Sequence, residues 1–67
     1  MNLVIRKYDP YMNSFYYFRH IISNRIFFEA DKNKAFIFTS LFEAEKCLNK
    51  LIMESKSAKN LFIDTLN

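Results

Sequence analysis

A chain of 67 residues with one Cys, one His and no Gly sits near the lower size limit for a domain that folds without staples. His20 and Cys47 are too few to build a disulfide or a structural zinc site, and phosphate loops, dinucleotide turns, calcium loops and nucleophile elbows all need glycine, so neither metal nor cofactor is expected. The net charge of +3, from ten Lys/Arg against seven Asp/Glu, is mild and dispersed, as on a solvated surface rather than a concentrated basic face.

The first element is Leu3–Tyr8, "LVIRKY", short, partly β-branched and half alternating, which predicts a strand. Asp9-Pro10 signals a turn. The stretch Ser14 to Phe28, "SFYYFRHIISNRIFF", then packs six aromatic rings into fifteen residues. As a strand, Phe15–Ile22 places Phe15, Tyr17, Arg19 and Ile21 on one face and Tyr16, Phe18, His20 and Ile22 on the other. As a helix over residues 10–22, capped by Asp9 with Pro10 at its first position, it aligns Tyr11, Phe15, Phe18 and Ile22 in one stripe. Aromatic and β-branched content favours the strand, and Ser23-Asn24 suits a two-residue connection to the next run.

Arg25–Ala30 and Ala35–Thr39 read as two strands around the polar loop Asp31–Lys34, a hairpin. Ser40-Leu41-Phe42-Glu43 is a capping box that opens a helix running to about Ser55. Leu41, Ala44, Leu48, Leu51 and Ile52 form its apolar stripe, while Phe42 and Met53 project away from it. After Ser57-Ala58-Lys59-Asn60, the run Leu61–Leu66 reads as a closing strand. With no glycine, Asn13, Asn24, Asn33 and Asn60 are the residues best suited to the joints.

The expected fold is therefore one α+β domain over residues 1–67, a small antiparallel sheet in β-β-β-β-α-β order with one amphipathic helix on one face. If residues 10–22 are helical, the order becomes the ferredoxin-like β-α-β-β-α-β. No apolar run approaches membrane-spanning length. The lone cysteine and the lack of a charged-then-apolar leader point to a cytoplasmic protein.

The span Phe28–Leu48, "FEADKNKAFIFTSLFEAEKCL", resembles a pattern seen in small orphan proteins of bacteriophages, in which a strand, a charged turn, Ala-x-x-Phe, Ser/Thr and Glu-Ala open a single helix. The matching residues are Ala35, Phe38, Ser40, Glu43 and Ala44. The resemblance implies a phage or mobile-element protein of the host-takeover or anti-defence type, one that binds and inhibits a host factor in the host cytoplasm. No functional residue carries over from it.

Three function classes follow from the residues. Catalysis has only His20 and Cys47 as neutral-pH candidates, without a third orienting group, so no enzyme and no catalytic residue is expected. Single-stranded nucleic-acid binding has Tyr16, Tyr17 and Phe18 for stacking beside Arg19 and Arg25. Protein binding has the ring count in its favour: one helix covers one sheet face, and the other face must display aromatic rows. The expected partner surface is Tyr16, Tyr17, Arg19, Arg25, Phe42 and Met53, with a host protein as the partner. Homodimerisation competes for the same surface, and nucleic acid is the alternative ligand.

Overall fold

The computed structural model describes residues 1–54 and 60–66. Strands β1 (Leu3–Asp9), β2 (Ser14–Ile22) and β3 (Arg25–Glu29) precede a 3₁₀ turn at Lys32–Lys34, helix α1 (Leu41–Glu54) and strand β4 (Leu61–Thr65). The strands form one antiparallel sheet in the order β3-β2-β1-β4, and α1 lies against β1 and β4. This is the expected α+β architecture of a small antiparallel sheet with one helix packed on it. Among the described residues no helix is long and apolar enough to cross a membrane.

Local chemistry explains the first three strands. The Asp9 carboxylate accepts hydrogen bonds from the backbone N–H groups of Tyr11 and Met12, at 2.9 and 3.3 Å, and Asn13 turns the chain at φ 50°. That carboxylate-braced loop replaces the helical alternative for residues 10–22, and with it the ferredoxin-like order. β2 and β3 are joined by Ser23 and Asn24 alone, both at positive φ (52° and 64°), as a two-residue hairpin loop matched to strand twist demands. Asn33, by contrast, sits within the 3₁₀ turn, where Asp31 accepts from its N–H at 2.9 Å.

The simple alternation expected for β2 is broken. Its register with β3 slips between Phe18 and His20, leaving Arg19 as the extra residue of a bulge. The bulge puts Ile21 on the same face as Tyr16 and Phe18, and moves His20 and Ile22 to the face of Phe15 and Tyr17. Phe18 and Ile21 can then enter one core together.

The expected strand Ala35–Thr39, and the hairpin it would complete, do not form. β1 and β2 pair only from Arg6↔Tyr17 to Asp9↔Ser14. Beyond that point they part, and the segment after the 3₁₀ turn enters the gap. The Phe36 N–H donates to the Phe18 carbonyl at 2.9 Å, and Phe38 exchanges two backbone hydrogen bonds of 2.8 Å with Leu3. As a hairpin strand on the free edge of β3, this segment would have left Phe38 half in water. In the gap Phe38 is buried, a gain of about 1.5–3 kcal/mol for such a side chain.

The core comprises Leu3, Ile5, Phe18, Phe38, Ala44 and Leu51, ringed by half-buried Ile21, Ile26, Phe28, Cys47, Leu48, Leu61 and Ile63. Phe18 is its hub, with ring centroids 6.3 Å from those of Phe28, Phe36 and Phe38. α1 starts where the capping residues predict: the Glu43 N–H donates to the Ser40 hydroxyl at 3.4 Å. Its inward stripe is Ala44 and Leu51, buried, with Cys47 and Leu48, half-buried. Leu41 and Ile52, expected in the stripe, are exposed, because one helix resting on two strands presents a narrower face than five apolar positions span. The expected helix end at Ser55 and the connection through Lys59 lie outside the described residues.

Two substitutions separate cap from core. Ser40→Ala removes one N-cap acceptor and is expected to cost about 1 kcal/mol, lowering the melting temperature by several degrees. Phe38→Ala keeps the backbone pairing with Leu3 but empties the ring's place in the core, and is expected to cost about 3–5 kcal/mol, enough to abolish the cooperative transition of so small a domain. Circular dichroism melts of the two variants check both, and an equal response would contradict the core placement of Phe38.

Candidate functional site

The helix covers one side of the sheet, and the register defines what stands on the other. From β1 come Val4, Arg6 and Tyr8; from β2, beyond the bulge as well as before it, Phe15, Tyr17, His20 and Ile22. β4 contributes Phe62 and Asp64, cross-strand from Arg6 and Val4. β3 contributes Arg25, Phe27 and Glu29, cross-strand from Ile22, His20 and Tyr17. At one end of this side Lys32 of the 3₁₀ turn and Leu66 border a small pocket with Val4, Arg6 and Tyr17; Val4 is 1% exposed there. Elsewhere the rings are open, with Phe15, Phe27 and Phe62 at 39, 41 and 37% exposure.

Arg6 organises the centre. Its guanidinium lies over the Phe15 ring at 4.3 Å and the Phe62 ring at 4.9 Å, while its Nη2 donates to the Asp64 Oδ2 at 3.1 Å. The two rings meet edge to face at 6.3 Å, and Tyr8 packs on Phe15 at 5.2 Å. Tyr8 is itself anchored, its hydroxyl donating to the Asn13 Oδ1 at 2.8 Å. Arg6 Nε is buried without a hydrogen-bond partner among the described residues. A guanidinium is weakly hydrated and stacks on aromatic faces, so it tolerates this position where an ammonium would not. The result is an aromatic surface built around a cation whose charge is already held by its neighbour.

The residues expected at the partner surface are distributed over three places. Tyr17 stands on the uncovered face. Tyr16 points to the helix side, paired with Lys7, whose Nζ lies 5.1 Å from the Phe28 ring. Arg19 is exposed at the bulge and Arg25 is exposed at the start of β3. Phe42 and Met53 are exposed on the outer side of α1, three helical turns apart. From that set the structure thus puts Tyr17 and Arg25 on one face, at opposite ends of the β2–β3 pairing, and places the rest elsewhere. Arg6, Phe15, Phe62 and Asp64 were missed from sequence. Val4-x-Arg6-x-Tyr8 and Phe62-x-Asp64 carry the right two-residue period, but their meeting depends on β1 and β4 being neighbours across the whole length of the chain.

His20 and Cys47 are not brought together. His20 lies on the uncovered side with its ring 5.1 Å from Phe27, while Cys47 lies on α1, against the opposite side of the sheet. Burial pushes the Cys47 thiol above its ordinary value, and the nearby Lys50 only partly opposes this. Among the described residues no three of His, Cys, Asp and Glu gather as metal ligands.

Compared with models of protein families, with curated proteins and with solved structures, the chain matches none.

The raised Cys47 value has a testable sign. The folded state holds the thiol neutral to higher pH than the unfolded chain does, so stability should fall as pH rises through the thiol range. At mildly alkaline pH a thiol reagent should label Cys47 more slowly in the native protein than in urea, since the thiolate is the reacting form. Equal labelling rates in the two states would contradict the buried placement.

Proposed function

We propose that this chain is a non-enzymatic binding protein whose ligand is another protein, engaged through the uncovered face of its sheet. The carrying observation is the Arg6 cluster: Phe15, Phe62 and Tyr17 displayed around an arginine that Asp64 neutralises. Tyr, Phe and Arg are enriched in interface cores, where unpaired charge is depleted. Side-chain order comes ready-made here, because stacking and the ion pair hold the rings before any partner arrives, which lowers the entropic cost of binding. Separation of His20 from Cys47 by the sheet supports the non-enzymatic part of the reading.

The finer proposal is that the partner is a host protein and that binding inhibits it, the chain being a phage or mobile-element product acting in the host cytoplasm. That step rests on the resemblance of Phe28–Leu48 described above. The competing ligand, single-stranded nucleic acid, needs unpaired cations beside stacking rings. On this face Asp64 and Glu29 offset Arg6 and Arg25, and Lys32 adds a single base at the Val4 end, a balance that favours a protein over a polyanion.

The test compares the two adjacent tyrosines. Tyr17→Ala should leave the melting temperature little changed yet weaken capture of a partner from bacterial lysate by roughly 2 kcal/mol or more, as loss of an interface anchor does. Tyr16→Ala, on the helix side, should leave capture unaltered. Retention of capture by Tyr17→Ala would count against the proposed face. In parallel, single-stranded DNA, duplex DNA and RNA should give no binding at low salt; binding that falls steeply with salt would instead support the nucleic-acid reading.

A further inference from the structure

We propose that in the free protein the uncovered sheet face is occupied by a second copy of the chain, the two sheets stacking about a two-fold axis. This rests on reading that face as a protein-binding surface, and names its first partner.

Three observations lead there. The first is the layer count. Small domains close by packing two apolar layers together. Here α1 supplies the second layer on one face, while the other face ends in Phe15, Phe27 and Phe62, each more than a third exposed. A twin sheet about 10 Å away would cover those rings as a third layer.

The second is charge. The open part of the face carries Arg6 and Arg25 against Asp64 and Glu29, two bases and two acids, and Lys32 at the Val4 end leaves the whole face at +1 where the chain carries +3. A face so nearly balanced meets its own copy with little net repulsion. An isologous pairing also lets a base of one protomer approach an acid of the other twice over. Any surface that held the chain's excess positive charge would repel its twin.

The third is area. Four strands about 4.8 Å apart, each residue rising about 3.3 Å, give a footprint of roughly 19 by 20 Å; stacking two of them removes on the order of 1,000 Å² from water, where specific association begins. The outer side of α1 offers less. Phe42 and Met53 stand three turns apart there, with charged Glu45, Lys46 and Lys50 exposed on the same helix.

Sedimentation velocity and light scattering of the full chain across a wide concentration range provide the test. The expected result is a dimer. Phe27→Glu and Ile22→Glu, which place a like charge on both faces, should each weaken the dimer roughly tenfold or more with an unchanged circular dichroism spectrum. Phe42→Glu should leave the dimer intact. If Phe27→Glu fails to fold, Ile22→Glu decides, since Ile22 lies at the exposed end of β2. A wild-type chain that stays monomeric throughout overturns the proposal, as does a dimer broken by Phe42→Glu but not by the two sheet variants. The wider reading is separable: a monomer whose lysate capture is still lost in Tyr17→Ala refutes self-pairing alone, and a monomer with capture unaltered refutes both.

Discussion

Two backbone hydrogen bonds of 2.8 Å between Leu3 and Phe38 hold this small fold in its particular shape. They occupy the edge that β1 leaves bare where β2 turns away, giving the Leu3 N–H and carbonyl partners at the parting. They also fix where the chain stands two residues before Ser40, and hence where α1 begins and which strands it crosses. The bulge at Arg19 is the complementary half of the arrangement. An extra residue bends β2 and lets Phe18 and Ile21 share one side, where strict alternation would have sent them to opposite sides. Phe18 then meets Phe28, Phe36 and Phe38, and the core closes around a ring rather than around a second helix.

One consequence is that the domain is one-sided. A single helix cannot cover both faces of a four-stranded sheet, and Lys32 and Leu66 border only the Val4 end of the other. The chain manages the remaining face by stacking its own cation on its own rings. Interactions of this type contribute about 0.5–2 kcal/mol, more as water is excluded. They would therefore strengthen when a partner closes over Arg6, Phe15 and Phe62. The ion pair with Asp64, half-exposed here and worth little by itself, would gain in the same way once screened from solvent. An unusual arginine geometry and an exposed aromatic surface thus become one proposal about binding.

Much of the fold was legible in the residues because it is local. The strand at Leu3, the turn at Asp9-Pro10, the two-residue loop at Ser23-Asn24, the cap at Ser40 and the closing strand at Leu61 each depend on neighbours within a few positions, and each stands where the pattern puts it. The exposure of Phe42 and Met53 follows from helical period in the same way. Composition set further bounds that no folding can change, above all the lack of glycine and of a second cysteine.

What only the tertiary structure decided depends on contacts between distant parts of the chain. Ala35–Thr39 has strand composition and lies beside a charged turn, yet it becomes a wedge, because burying Phe38 between β1 and β2 outweighs the edge pairing that local sequence offers. The bulge at Arg19 leaves no mark in the sequence, since any residue can be the unpaired one; it moves every later side chain of β2 to the other face and thereby chooses which rings are displayed. The Arg6 cluster needs Phe15 and Phe62 on either side of β1, one from the neighbouring hairpin strand and one from the far end of the chain. Alternation within a strand tells which residues share a face. Only the sheet order tells which strands lie side by side, and that order made a binding surface of residues that are unremarkable one by one.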